Sequence, residues 1–168
     1  DLANRAIDSF TSHASIYPDR PFFLFWAPSA MHSPHQVEQK YIDMYKGKFD
    51  MGWDKAREAI LKSEKVQGLV PRNAELAQRP ASVPAWDSLS SDQKHLYTRQ
   101  MEVFAASLSY ADAQFGRILD ALQTSGELDN TIVVIASDNG ASAEGNQNGM
   151  FTEAFLGRGR AATLEENL

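Results

Sequence analysis

The sequence contains no cysteine, and this absence excludes several kinds of chemistry at once. Disulfide bonds, zinc sites built on thiolates and cysteine nucleophiles all require the missing side chain. Basic residues are also fewer than acidic ones. The chain has 16 lysine and arginine residues and 22 aspartate and glutamate residues, which gives a net charge of −6. No basic stretch stands out from this acidic background, so a nucleic-acid partner is not expected.

Long apolar runs are missing as well. No run approaches the ~20 residues that a membrane-spanning helix requires. The first ten residues, DLANRAIDSF, have neither the basic nor the apolar part of a signal peptide. A length of 168 residues and a hydrophobic content of 43% are nevertheless sufficient for one globular domain with a core. We therefore expect residues 1–168 to form a single domain with no membrane span.

Apolar periodicity predicts helices in three regions. Residues 2–15 form an amphipathic pattern, and residues 36–70 are helical but interrupted by glycines. The clearest helix begins at Ser90, which forms a potential capping box with Gln93, and it ends before Gly126. One apolar stripe follows this last helix along its whole length, so a coiled-coil segment is the alternative interpretation.

Two short apolar runs are interpreted as strands. FFLFWA at residues 22–27 and TIVVIA at residues 131–136 are rich in aromatic or β-branched residues and have no polar face, which is typical of strands buried on both sides. A helix that leads directly into a strand indicates the second half of a βαβ unit. The sequence therefore predicts an α/β fold with a mostly parallel central sheet flanked by helices.

The second of these runs stops at Ser137-Asp138-Asn139-Gly140. Ligands of open parallel sheets bind outside the carboxyl ends of the strands, and carboxylate and amide oxygens suit a hard cation such as calcium or magnesium. Asp138 and Asn139 are therefore candidate metal ligands. An ordinary turn is the alternative, because Asn-Gly is a common turn dipeptide. Calcium takes about 6–8 oxygens, so further ligands would have to come from elsewhere.

The first run ends in a loop that carries a candidate catalytic histidine. His32 follows this run in the loop APSAMHSPHQ, and parallel neighbouring strands would bring it together with Asp138 in one crevice. The alternative is a surface residue without a catalytic role. A structural or rim position is expected for His35, while His13 and His95 are interpreted as surface residues.

Three stretches of the sequence resemble one known family. PFFLFWAPSAMHSPHQ is similar to the strand and His-x-Pro loop of bacterial arylsulfatases, and YKGKFDMGWDKAREAILKSEKVQGLVP is similar to the helical segment that follows. Residues 83–145 resemble the long helix, strand and metal loop of the same enzymes. The chain therefore resembles the formylglycine-dependent sulfatases, which have the alkaline-phosphatase-like α/β sandwich, in collinear order up to about Phe151.

The resemblance implies a function and roles for individual residues. Sulfatases hydrolyse sulfate esters with a formylglycine nucleophile, made from cysteine or serine, beside a divalent cation that is usually calcium. Asp138 and Asn139 match the second pair of metal ligands of the family. His32 matches the histidine that contacts the substrate sulfate and is thought to help the leaving group depart. A periplasmic or secreted location is slightly favoured by the resemblance, and a cytoplasmic location stays open.

Two motifs of the family are absent from this chain. The formylglycine motif is Cys or Ser, any residue, Pro, any residue, Arg, and the nearest candidate, Ser82-Val83-Pro84, lacks the arginine. The Asp-Asp pair of the first metal motif is also missing. We therefore expect residues 1–168 to be a single incomplete domain, an internal segment of a sulfuric ester hydrolase that is inactive alone.

The missing parts also determine the expected partners. These are a sulfate-ester substrate, the remainder of the parent sulfatase, and other copies of the chain that associate through uncovered strands. Residues 152–168 have little core-forming content, so a poorly ordered tail is expected there. Two other functions are the alternatives, namely a phosphonate or phosphodiester hydrolase of the same superfamily and a non-catalytic helical interaction module.

Overall fold

Helices dominate the part of the chain that is described by the structure, a computed structural model in which residues 1–140, 145–150 and 152–168 are described. None of the described helices is both long and apolar enough to cross a membrane. The α-helices in chain order are α1 Leu2–Ile16, α2 Gln39–Asp43, α3 Gly52–Gln67, α4 Ser91–Thr124 and α5 Leu164–Asn167, with short 3₁₀ helices at Trp86–Ser88, Leu128–Asn130 and Glu153–Arg158.

Helix α4 begins and ends where the sequence predicts. The Ser90 hydroxyl accepts a hydrogen bond from the Gln93 backbone N–H at 3.2 Å, and the Gln93 side chain accepts one from the Ser90 backbone N–H at 3.0 Å. This capping box satisfies two N–H groups that have no partner within the helix. At the other end Gly126 has a φ of 78°, a conformation that glycine adopts without strain. The helix has 34 residues and is about 50 Å long at 1.5 Å per residue.

One hydrophobic cluster joins α1 to the C-terminal half of α4. Phe10 is its largest member and is only 2% exposed. Alternate side chains of the extended segment at residues 22–26 pack against the same cluster, and the Trp26 and Phe115 rings stack with centroids 5.9 Å apart. The buried members of the cluster are Ala3, Ala6, Phe10, Ile118 and Leu122.

A second cluster, rich in aromatic residues, surrounds the N-terminal end of α4. The Trp53 ring meets the Trp86 ring edge-on at 5.0 Å and stacks on Tyr97 at 5.6 Å. The Trp53 indole N–H donates to the Pro84 carbonyl at 3.1 Å, which satisfies the polar end of an otherwise apolar ring. The buried members are Trp86, Leu89, Leu96 and Tyr97.

The middle of α4 buries polar atoms rather than the predicted apolar stripe. The predicted stripe includes Met101 and Leu108, which are spaced seven residues apart, yet they are 40% and 50% exposed, whereas Glu102 is only 6% exposed. One Glu102 carboxylate oxygen accepts from the Gly47 backbone N–H at 2.7 Å, and the other lies 3.1 Å from the Arg99 guanidinium. A buried carboxylate is tolerated when both oxygens have such donors. This contact fixes the chain after α2 against α4.

The predicted α/β fold with a mostly parallel central sheet is wrong for the described chain. Residues 22–27 and 131–136 belong to no helix, and no strand is assigned there or elsewhere in the described ranges. A strand exists only where its N–H and C=O groups pair with another strand, and these two segments do not pair. The interpretation of the two runs as strands is therefore wrong as well, because their composition carries no information on a pairing partner.

Burial on both faces is also wrong for these two segments. Phe23 and Phe25 are 91% and 80% exposed, although their neighbours at alternate positions face the α1–α4 cluster. In the second segment Ile132 and Val134 are 92% and 82% exposed. Each segment therefore presents an uncovered apolar face to solvent.

Residues 152–168 form defined contacts in this structure. The Thr163 hydroxyl caps α5, and the two Glu166 carboxylate oxygens accept from the Arg160 guanidinium at 2.6 and 2.7 Å. The Arg160 hydrogen bonds, followed by the Thr163 backbone N–H, lower the pKa of the Glu166 carboxyl from 4.5 to about 2. How well ordered this tail is in solution stays a prediction.

The contact between Gly52 and Trp86 yields a stability prediction. Gly52 has a φ of 75°, and a Cβ atom there would collide with the Trp86 ring, whereas Gly68 has a φ of 73° and open space around it. Gly68→Ala should therefore lower the free energy of unfolding by about 1–2 kcal/mol, the cost of the left-handed conformation. Gly52→Ala should cost about 1–3 kcal/mol more, because it also overpacks the aromatic cluster. Urea denaturation measures both values, and equal losses would contradict the contact.

The Arg160–Glu166 contact yields a prediction on the tail. The carboxylate stabilises the fold of the tail above pH 4.5, and this contribution is lost as the pH falls toward about 2. Arg160→Gln should raise the pKa of Glu166 toward 4.5, because the main cause of its lowering is removed. A carbon-13 NMR titration measures this pKa, with Glu165→Gln on the same helix as the control. An ordinary Glu166 pKa in the unsubstituted protein would indicate a disordered tail.

Candidate functional site

His32 lies in the loop directly after the extended segment at residues 22–27. Its backbone N–H donates to the Ser29 carbonyl at 3.0 Å, which closes a tight turn. Met31 within this turn has a φ of 70°, in the left-handed region that few residues other than glycine adopt. The His35 ring contributes a further contact, because its Nε2 donates to the Met31 carbonyl at 3.0 Å. His35 is half-buried and holds the loop that carries His32.

The hydrogen-bond partners of the His32 ring assign its tautomer. Its Nδ1 lies 2.8 Å from the Ser33 carbonyl oxygen and 3.3 Å from a Glu153 carboxylate oxygen. The carbonyl can only accept, so Nδ1 must carry a hydrogen. In the neutral ring Nε2 then holds a lone pair, and in the imidazolium both nitrogens are donors. Both side chains of the pair are more than half exposed.

Asp138 and Asn139 lie in an exposed turn after the second extended segment. The Asn139 backbone N–H donates to Asp138 Oδ1 at 3.0 Å, and the Ser137 hydroxyl donates to the Asn139 carbonyl at 2.6 Å. These two bonds define the turn and restrict the orientation of the carboxylate. Asp138 Oδ2 and the amide oxygen of Asn139 are the side-chain oxygen atoms of these two residues that the two bonds do not use.

The oxygen atoms of this turn have the right chemistry for part of a cation site. A carboxylate and an amide carbonyl are ligands that calcium and magnesium prefer. Among residues 1–140, 145–150 and 152–168, no group of three or more His, Asp or Glu side chains is arranged to hold a metal ion. Because calcium takes about 6–8 oxygens, the turn can supply only a minority of them.

None of the contacts named above joins the two candidate regions. Two contacts of His32 are with Ser33 and Glu153, and those of Asp138 and Asn139 named here lie within their own turn. Their convergence in one crevice therefore stays a prediction.

Comparison with protein families decides which class of protein this is. The model of the Sulfatase family matches residues 2–164, which is nearly the whole chain. The chain belongs to the sulfatase family. This membership confirms the resemblance drawn from the three sequence stretches, and sulfatases are hydrolases as a family.

Individual relatives support the same assignment. The chain is 40% identical over 145 residues to an uncharacterized sulfatase of Schizosaccharomyces pombe, a match that covers 83% of the chain and 25% of the relative. It is 27% identical over 124 residues to an arylsulfatase of Klebsiella aerogenes, and this match covers 74% of the chain and 26% of the relative. It is 28% identical over 123 residues to an arylsulfatase of Clostridium perfringens, and this match covers 73% of the chain and 23% of the relative. The chain therefore spans about a quarter of the length of these relatives.

The serine nearest to a formylglycine motif lies in a structural segment of this sulfatase. After Ser82, the Val83 carbonyl accepts a hydrogen bond from the Arg79 side chain, and the Pro84 carbonyl accepts one from Trp53. These contacts hold the segment against α3 beside the aromatic cluster. That Ser82 is not the precursor of the nucleophile stays a prediction from the sequence.

Sequence reasoning missed two residues that bear on the site, Asn148 and Glu153. The Tyr97 hydroxyl donates to Asn148 Oδ1 at 2.8 Å, and the Gln100 amide donates to the Asn148 carbonyl at 2.8 Å. Burial of the Tyr97 hydroxyl raises its pKa above 10.0, so it remains a donor at neutral pH. Apolar periodicity does not detect such polar contacts. The one sequence signal for order in this region is the capping box that Thr163 opens.

Proposed function

We propose that this chain is a catalytic segment of an arylsulfatase, a sulfuric ester hydrolase. His32 contacts the sulfate group of the substrate, and Asp138 and Asn139 are two of the ligands of a Ca²⁺ ion, a role that Mg²⁺ could also fill. The observation that carries the proposal is the family match over residues 2–164, which spans both the His32 loop and the Asp138 turn. The fixed tautomer of His32 and the oxygen pair of the turn support it chemically.

The tautomer of His32 limits what the ring can do. Its Nδ1 hydrogen is committed to Ser33, so on this proposal Nε2 is the ring nitrogen that contacts a substrate oxygen. In the imidazolium form, Nε2 donates to the bridging ester oxygen and transfers its proton to the departing alkoxide as the S–O bond breaks. In the neutral form the same atom can only accept, so the proposed acid role requires the protonated ring.

Asp138 brings its negative charge to the cation and is oriented by the backbone of its own turn. The bond from the Asn139 N–H fixes Oδ1, so Oδ2 is the carboxylate oxygen best placed to bind a metal. A bound cation would draw charge from the sulfate oxygens. The formylglycine nucleophile would come from a part of the parent enzyme outside this chain.

Substitutions in the complete enzyme test the two proposed roles separately. His32→Ala should lower kcat on an aryl sulfate by about 10²–10⁴-fold, the usual contribution of a positioned acid. Asp138→Ala should weaken calcium binding in calorimetry, because a charged oxygen ligand is lost. His95→Ala and Asp112→Ala, both exposed on α4, are the matched controls.

Two outcomes of these measurements would point to the other functions. Unchanged calcium affinity in Asp138→Ala, together with full activity in His32→Ala, would favour a non-catalytic module. Faster turnover of an aryl phosphonate than of the matched aryl sulfate would favour a phosphonate hydrolase.

The isolated chain should behave as an incomplete domain. We expect no sulfate-ester turnover above that of the His32→Ala chain, and we expect self-association through the uncovered faces at Phe23, Phe25, Ile132 and Val134. Phe23→Ser with Phe25→Ser should reduce self-association in light scattering. Phe22→Ser is the matched variant, since the Phe22 ring packs against Phe10 and its loss should destabilise the chain instead. A stable monomer without substitutions would contradict this prediction.

A further inference from the structure

We propose that Glu153 is a positioning residue that orients the His32 ring for the sulfatase reaction, an inference that rests on the proposed role of His32. A Glu153 carboxylate oxygen lies 3.3 Å from His32 Nδ1. Glu153 is 121 positions away in the sequence, at the start of the 3₁₀ helix Glu153–Arg158. The pair therefore depends on the tertiary fold and not on local chain geometry.

Two acceptors at one ring nitrogen define which way the ring is turned. The Ser33 carbonyl and the Glu153 carboxylate both lie against Nδ1. A half-turn of the ring about its bond to Cβ would exchange Nδ1 with a carbon atom, and both contacts would be lost. The two contacts therefore favour one ring orientation and one tautomer, and on the proposed function Nε2 is then the nitrogen that contacts the substrate.

The charge of Glu153 adds to this selection. When His32 donates from Nε2 as well as from Nδ1 it is an imidazolium, and a carboxylate near Nδ1 attracts that charged ring more strongly than the neutral one. The Ser33 carbonyl fixes the hydrogen but carries no net charge. Glu153 thus contributes an interaction that strengthens when the ring holds the second proton.

A purely structural role explains the pair poorly. The side chains of His32 and Glu153 are 57% and 53% exposed, and ion pairs this exposed contribute little to folding stability. The segment before Glu153 is already held to α4 through Asn148, which accepts from Tyr97 and Gln100. Folding of this region therefore does not require the carboxylate, whereas the orientation of the ring does.

Kinetics of the complete enzyme test the inference. Glu153→Ala should lower kcat on an aryl sulfate by about 10–100-fold, the usual effect of losing a residue that orients a functional side chain, with KM and the melting temperature nearly unchanged. Glu153→Gln keeps an oxygen acceptor and should retain more activity than Glu153→Ala. The loss should be greater for a phenyl sulfate than for a nitrophenyl sulfate, because the poorer leaving group needs its proton more. Glu165→Ala, exposed in the same tail, is the control.

A double-mutant cycle separates positioning from a general structural effect. In the His32→Ala enzyme, Glu153→Ala should cause no further loss, because the residue acts only through the ring. Equal losses in both backgrounds, or wild-type activity in Glu153→Ala, would overturn the inference while leaving the role of His32 intact. Full activity in His32→Ala would instead overturn the proposed function, and this inference with it.

Discussion

Packing along helix α4 is the interaction on which the other parts of the molecule depend. The C-terminal half of the helix forms a core with α1, and its N-terminal end lies in the aromatic cluster around Trp86. Between them, Glu102 fixes the chain after α2 through the Gly47 N–H. Because no strands pair within the described ranges, this helix has the role that a sheet has in an α/β domain. It is the rigid element against which separate segments are aligned.

The same helix brings the candidate site residues into position. The extended segment before His32 is stacked on α4 through Trp26 and Phe115, and the His35 ring meets Phe104 edge-on at 6.0 Å. The segment before Glu153 is held to α4 through Asn148. His32 and Glu153 thus meet because the chain on each side of the site is attached to one helix. Substitutions on the buried face of α4 should therefore affect the geometry of the site.

The features that the sequence predicts well are those with local causes. The capping box at Ser90 and the helix end at Gly126 depend on residues within one turn, so their signals are complete in the sequence. The sheet was wrong because pairing depends on distant partners, which a β-branched run such as residues 131–136 does not specify. Glu153 was missed for a related reason. A single acidic residue among mostly apolar neighbours has no periodicity of its own, and its contact with His32 arises only from the tertiary fold.

On the proposed function, the incomplete set of cation ligands and the uncovered apolar faces have a common physical origin. Ile132 and Val134 are almost fully exposed, and the same segment leads within a few residues to Asp138, whose turn can supply only a minority of the oxygens that calcium needs. Additional protein could both cover the exposed apolar surface and supply the oxygen ligands that the turn lacks. The chain spans only about a quarter of the length of its relatives. On the proposed function, protein that covers this segment would therefore lie next to Asp138 and Asn139. Metal affinity and the burial of residues 132–135 should then rise together, since both depend on the same added surface.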